Sequence, residues 1–435
     1  MAGAGLYSTM PYPLYGASPG PGRKNNSNSP ANRLNIGVIG AGFGVVNMRS
    51  MIEGDGSVHC TGLCDVNRIR LEERAGDLRK RFPENTPRMK LYPDFRNMLE
   101  DKDIDGVIIA TPDHWHTYMY AEACKAGKAV FIEKPTGHTI EDCHLMVDLQ
   151  RKHNNVVTTG LWQISLEYFT EAFDILRSGV LGDVYKAHAW ITGDTDPATF
   201  VDSPEGIPEG FDYKMWLGPA PERPYVSERV RRWSRFWDYG GGQQTNWVHY
   251  LDSAFDGLAA LGYPRTYPGS VYSVGYRHPE TMFEVPAVQT SVFQFDDYHV
   301  VWEHQASNLY NRGDGVAWIG SNGTLVCNRT GYEVIPRMSG GEPVIEPVKV
   351  QGPYGNQFNH MINWGECIRN NNPGTNGTIE KGCYATLLAT IANISYKTGS
   401  QSLEYLPDKK RFRNNREADS YISSNYHNSW KYPRL

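Results

Sequence analysis

The stretch Leu34-Asn-Ile-Gly-Val-Ile-Gly40-Ala-Gly42-Phe43-Gly44-Val45 decides the fold. An aliphatic run without alternation that stops on glycine reads as a strand buried on both faces of a parallel sheet. The residues after it, up to Gly54, read as a helix. A dinucleotide fingerprint needs a tight turn, a bare backbone against the pyrophosphate and close helix–strand packing. Gly40 and Gly42 suit the first two needs. The third glycine falls at position 45, where this chain has Val45, and Gly44 is the nearest substitute. A second strand, Val58–Asp65, ends on an acid 25 residues after Gly40, close to where a ribose-binding carboxylate stands. A carboxylate there repels a 2′-phosphate, so NAD is expected over NADP, with Arg68 and Arg70 as the opposing signal. The plain alternative for Asp65 is a helix N-cap.

Further strands are expected over Asp105–Thr111, Ala129–Pro135 and Val156–Trp162, with helices over 68–81, Trp115–Lys125 and Ile140–His153. Strands alternating with helices predict an α/β fold with a doubly wound parallel sheet. The 435 residues are 40% hydrophobic and 21% charged, with net charge −5, an ordinary globular composition. The mild acidity gives no support to nucleic-acid binding. No apolar run approaches the roughly 18–20 residues of a membrane helix. Seven scattered cysteines without a CxxC are expected to be buried thiols. Residues 1–33 are rich in Gly, Pro, Ser and Asn, which is linker chemistry. They are expected to be a disordered leader or the remnant of an export signal. Location therefore stays open between exported and cytoplasmic.

Three more stretches carry a resemblance: Ala110-Thr-Pro-Asp-His-Trp-His116, Glu133-Lys134-Pro135, and Trp237-Asp-Tyr-Gly-Gly-Gly-Gln-Gln-Thr-Asn-Trp-Val-His249-Tyr-Leu-Asp252. With the glycine turn, in this order, the chain resembles the Gfo/Idh/MocA oxidoreductases, from about Leu34 to about Gly399. Trp216-Leu-Gly-Pro-Ala-Pro221 is similar to their bacterial branch. The resemblance implies a Rossmann domain over 34–155. It also implies an α/β domain over 156–435 with a large, mostly antiparallel open sheet. Alternating runs at 184–192, 269–276, 287–295 and 299–307, then GVAWIG and GTLVCN, agree with such a sheet. Late helices over Asn356–Arg369 and Glu380–Thr398 are implied to pack back on the first domain. The sheet's outer face is implied to make dimers or tetramers.

Oxidising a secondary alcohol needs a hydride acceptor, which a nicotinamide supplies, and a base within hydrogen-bond reach of the hydroxyl. Lys134 follows the C-terminal end of a parallel strand, the edge where such sheets bind ligands. The resemblance makes it the residue that orients substrate and relays its proton, with His249 as acid/base partner. Pro135 matches the special peptide geometry of relatives. Asn246 stands where relatives have a carboxylate, and the glycine after Trp247 is missing, which is expected to displace His249. Asn246 is expected to bond a sugar hydroxyl. Asp252 is expected to orient His249 or cap a helix. Thr111, Pro112, His114 and His116 are implied to line the cofactor loop. Glu133 is implied to meet the nicotinamide ribose or hold the lysine, and Gln163 to lie near the cofactor. Trp162, Tyr168, Trp190, Trp237 and Tyr239 are candidate pocket walls, or core. Arg231, Arg232 and Arg235 are a solvated cluster or a contact to substrate or a neighbouring subunit's cofactor. No metal is expected.

Three functions compete. The first is a dehydrogenase acting on a ring hydroxyl of a sugar, glycoside or cyclitol. The second is an NAD-dependent glycosidase or lyase acting through transient C3 oxidation, with Tyr239, His249 and Tyr250 as candidate second bases and a tightly held cofactor. The third is a non-catalytic NAD-binding homologue.

Overall fold

The computed structural model describes residues 33–192, 203–305 and 313–435. The leader expected over 1–33 lies outside these, Arg33 excepted. Six parallel strands form the first sheet: β1 (Leu34–Ile39), β2 (Val58–Cys64), β3 (Lys90–Tyr92), β4 (Gly106–Ile109), β5 (Ala129–Ile132) and β6 (Val157–Thr159). Their order is β3-β2-β1-β4-β5-β6, and it reverses between β1 and β4. That reversal opens a crevice at the strands' C-terminal ends, where doubly wound sheets bind ligands.

Helices α1 (Phe43–Gly54), α2 (Arg68–Arg81), α3 (Phe95–Glu100), α4 (His116–Lys125) and α5 (Ile140–His153) connect the strands. The Asn67 side chain accepts from Arg70 N to start α2, and a Thr139/Asp142 capping box starts α5. β3 and α3, at three and six residues, are too short to carry a readable period.

Beyond α6 (Glu167–Arg177) the chain enters an eight-stranded sheet. Its strands are β7 (Val184–Thr192), β8 (Ser270–Tyr276), β9 (Val288–Gln294), β10 (His299–Gln305), β11 (Gly315–Gly320), β12 (Gly323–Asn328), β13 (Gly331–Pro336) and β14 (Val348–Gln351). The order is β14-β13-β12-β11-β7-β10-β9-β8, antiparallel except where β7 runs parallel to β10. One face is sealed by α10 (His249–Ala260) and α12 (Ile379–Lys397). The indole of Trp318 donates to Ala254 O on that face, and that of Trp302 to Gln244 O. The other face leaves Tyr185, Tyr272, Val274 and Tyr276 exposed.

Between β7 and α10 lie α7 (Tyr213–Leu217), α8 (Ser227–Arg231) and α9 (Gly242–Asn246). This segment reaches back over the first sheet. Asn67 bridges to Phe211, Arg68 N donates to Gly210 O at 2.8 Å, and Asp212 N donates to Val66 O at 2.9 Å.

α11 (Phe358–Arg369) and α12 also return to the first sheet. Trp364 packs on Phe131 with ring centroids 5.8 Å apart, Thr159 N donates to Gly377 O at 2.8 Å, and Arg369 pairs with Asp55. All seven cysteines are buried free thiols. Among the described residues no helix is long and apolar enough to cross a membrane.

Candidate active site

A cleft of about 510 Å³ opens at the C-terminal ends of β1, β2, β4 and β5. The glycine turn forms its floor. Gly40 has φ +96°, and a Cβ there would sit 2.2 Å from Ala110 O, so only glycine fits. A Cβ on Gly42 would meet nothing within 4 Å, because its backbone faces open cleft. A Cβ on Gly44 would lie 2.7 Å from Val38 Cγ1. The close-packing role therefore falls to Gly44, and Val45 is free to be core, 2% exposed. Phe43 is half exposed at the mouth.

Asp65 ends β2 on the cleft wall, accepting from Ala41 N at 2.9 Å and Asn67 N at 2.8 Å. It thereby ties the second strand to the turn rather than capping α2, whose cap is Asn67. Burial pushes its carboxyl up, against the pull of Asn67 N and Arg70. An uncapped α1 N-terminus, a bare Gly42 backbone and a strand-end carboxylate fit a dinucleotide's pyrophosphate and ribose. Phe211, bridged to Asn67, stands over the Asp65 side of the cleft, while Tyr225, Val230, Trp233 and Arg231, the last paired with Glu228, line it further along.

Thr111, Pro112, Glu133 and Lys134 line the other end, with Asn246 from the second domain. Lys134 Nζ donates to Asn246 Oδ1 at 2.8 Å. The Lys134–Pro135 peptide is cis. Burial lowers the Lys134 pKa. Glu133 and Asp113 oppose that fall, and Arg329 adds to it. Glu133 accepts from Asn47 Nδ2 at 2.8 Å and from Lys134 N at 3.0 Å.

Asp113 is 1% exposed and receives Gly241 N, while its Oδ1 has no partner. Burial raises its carboxyl, against the pull of Lys134. A Cβ on Gly240 would sit 3.1 Å from Asp113 Oδ2, so the glycine run wraps this carboxylate. The loss of an acid at Asn246 is thus met by another acid near the lysine. Asp113 lies within Ala110–His116, and nothing in its spacing marks it as a neighbour of the lysine.

His249 opens α10, 4% exposed, with Nδ1 unpartnered. Its ring packs edge-on to Trp162 at 6.0 Å. Burial, then the charges of Arg329, Lys134 and His360, keep the imidazole neutral. Arg329 was not foreseen, since a lone arginine in a turn carries no motif.

Several expected residues sit elsewhere. His116 is fully buried, its ring nitrogens 2.8 Å from Pro135 O and 3.0 Å from Thr111 O. Held neutral by burial, with a pKa of about 4, it donates to one of these carbonyls and braces the two loops from behind. His114 meets Trp216 O at 3.1 Å and packs on Tyr239, likewise off the cleft. Tyr239 is 0% exposed, a core residue rather than a pocket wall. Gln163 does not reach the cleft: it donates to Ser253 Oγ at 2.9 Å and accepts from Arg329 Nε at 3.1 Å. Asp252 pairs with Arg265 at 3.1 Å in a buried cluster with Asp256 and Lys381, so its carboxylate serves that cluster instead of His249. Trp190 is core, Tyr168 bonds Pro353 O, and Trp237 lies under Lys397. Arg232 pairs with Glu228, and Arg235 is buried near Phe283.

The fold and cleft define a dinucleotide-binding Rossmann domain joined to an open-sheet α/β domain. Residues 34–161 match the oxidoreductase family, NAD-binding Rossmann fold, and residues 178–262 match its C-terminal alpha/beta domain. The chain belongs to this Gfo/Idh/MocA family of oxidoreductases. It is 27% identical over 195 residues to the rhizopine catabolism protein MocA of Rhizobium meliloti, covering 42% of this chain and 57% of that protein. It is 30% identical over 162 residues to a glycosyl hydrolase family 109 protein of Shewanella sp. (strain W3-18-1), covering 35% of this chain and 33% of that one. Levoglucosan dehydrogenase in complex with NADH and levoglucosan has a similar structure, with TM-score 0.64 at 17% identity over 86% of this chain and 99% of that one. Aldose-aldose oxidoreductase from Caulobacter crescentus gives TM-score 0.61 at 17% identity over the same shares, 86% and 99%. Both likenesses concern the fold.

Proposed function

We propose that the chain is an NAD-dependent dehydrogenase acting on a ring hydroxyl of a sugar, glycoside or cyclitol. The carrying observation is the Lys134–Asn246 contact at 2.8 Å, which puts a half-buried lysine at the strand edge where both domains meet. When bound, the nicotinamide supplies the hydride acceptor. Gly40, Gly42 and Asp65 hold the dinucleotide's backbone. Lys134, its pKa lowered by burial, takes the hydroxyl proton. Asn246 aims the lysine and, with one amide N–H given to Gln243 Oε1 at 3.3 Å, has the other for a second hydroxyl. His249, kept neutral by burial and nearby cations, is a weak base there and offers its unpartnered Nδ1 as a hydrogen-bond partner rather than as the proton's acceptor. Levoglucosan dehydrogenase and aldose-aldose oxidoreductase, which share the fold, support the choice of a sugar. The test is growth of the reduced-nicotinamide absorbance band with NAD and a panel of sugars. A protein that binds NADH yet reduces NAD with none of them overturns the reading.

Phe211, bridged to Asn67 beside Asp65, favours a second reading, in which the cofactor stays through turnover. The site would then oxidise C3, expel the C1 substituent by elimination, add water and reduce C3 again. Nitrophenol release from nitrophenyl glycosides, with no net NADH, distinguishes it. We also infer that copies pair through the outer sheet face bearing Tyr185, Tyr272, Val274 and Tyr276. A monomeric mass by light scattering overturns that.

A further inference from the structure

The turn between β12 and β13 carries Arg329 inward, leaving 6% of it exposed. Its guanidinium stacks on Trp162 at 4.4 Å, with Trp247, Tyr250 and Tyr354 around it at 5.5, 5.6 and 5.8 Å. Nε donates to Gln163 Oε1 at 3.1 Å and Nη1 to Tyr354 Oη at 2.6 Å. Nη2 is buried and has no hydrogen-bond partner. Among the described residues no carboxylate pairs with Arg329.

A guanidinium cannot shed its proton, so this charge is permanent. A buried charge without a counter-charge is strongly unfavourable, and aromatic faces offset only part of that. The position of the charge is not incidental. His249 packs against the same wall, 6.0 Å from Trp162 and 6.5 Å from Trp247, with its own Nδ1 unpartnered. Trp247 directly follows Asn246, which holds Lys134. The charge acts on both Lys134 and His249. Tyr354 is 60% exposed, so the cage opens to solvent on its side.

A neutral sugar would leave Arg329 uncompensated in the complex. A carboxylate on the ring supplies the missing counter-charge. We propose that Arg329 is the recognition group for an anionic substituent, and that the substrates of this site are sugar acids. In that complex Tyr354, the exposed side of the cage, moves aside so that the carboxylate meets the otherwise buried Nη2 while a ring hydroxyl meets Lys134. The assignment of substrate class rests on the oxidoreductase reading above.

The experiment uses the full chain with NADH added. Affinities are measured for glucuronate, galacturonate and mannuronate, and for the parent hexoses. Quenching of tryptophan fluorescence and calorimetry report binding. At least one uronate is expected to bind about tenfold to a hundredfold tighter than its parent, the range of a charge-assisted hydrogen bond. Arg329→Gln is expected to erase that preference, and Arg329→Lys to keep part of it. A wild type in which no uronate outbinds its parent overturns the proposal, as does an Arg329→Gln variant that keeps the preference. If Arg329→Gln does not fold, the wild-type comparison and Arg329→Lys still decide. Tighter binding of hexose 6-phosphates than of uronates overturns the sugar-acid assignment in favour of phosphate esters. NADH binding, followed separately by nicotinamide fluorescence, separates the two readings. Its absence sinks the oxidoreductase reading, whereas NADH binding without charge preference sinks only this one.

Discussion

The two ends of the cleft are built from different materials. At the adenosine end the chemistry lies in the backbone: a turn at φ +96°, a bare Gly42, a free helix N-terminus and one carboxylate tied to Ala41 N. At the proposed reacting end it lies in side chains brought from distant parts of the chain. Lys134, Asp113, Asn246, His249 and Arg329 come from two domains, and burial or mutual charge sets the protonation of several. A backbone site tolerates little change in shape. A side-chain site tolerates little change in charge.

That contrast can be broken most forcefully at Lys134. Lys134→Ala is expected to lower kcat by about 10²- to 10⁴-fold, the usual range for a lost acid–base group, with NADH affinity nearly unchanged. Fluorescence titration alongside steady-state kinetics checks it; a coupled loss of both would merge the two ends. Gly40→Ala is the converse. A Cβ 2.2 Å from a carbonyl must displace the turn, so NADH affinity is expected to fall about tenfold to a hundredfold.

Asp113→Asn sharpens the charge argument. The Asp113 carboxylate favours the protonated form of Lys134, so removing it lowers the lysine pKa further. The base form then exists at lower pH. The acidic limb of kcat against pH is expected to move down by about one unit. A limb that stays put would mean that Asp113 is already neutral there. Asp65→Ser is the gentlest change. It removes the carboxylate proposed to oppose a 2′-phosphate, and the ratio of kcat/KM for NAD to that for NADP is expected to fall by about tenfold.

The same contrast explains what the sequence could tell. The adenosine end was legible because its parts are contiguous: a strand, a glycine turn and an acid at the next strand's end. The place of Lys134 on the cleft was legible for the same reason, since it follows a strand terminus. α5 reads to the residue because Thr139 and Asp142 cap it and Asn154 ends it in the left-handed region. α10 was hidden because it is buried on nearly every side and has no polar stripe to give a period. His114, His116 and Gln163 carry polar groups that promised ligands and turned out to hold loops and neighbours together. Arg329 and Asp113 owe their setting to tertiary packing, and no local pattern announces that.

The return of α11 to the first sheet bears on how the chain is made. Phe131 and the faces of β5 and β6 wait for Trp364, Thr375 and Gly377, which leave the ribosome long after β6 does. At about 5–20 residues per second, the nascent nucleotide-binding half stays uncovered for on the order of ten seconds or more. During synthesis it is therefore an unfinished domain, a natural client for a chaperone. For the same reason a gene fragment ending after β6 would encode a half with an open flank. A swap of either half alone would leave that flank uncovered.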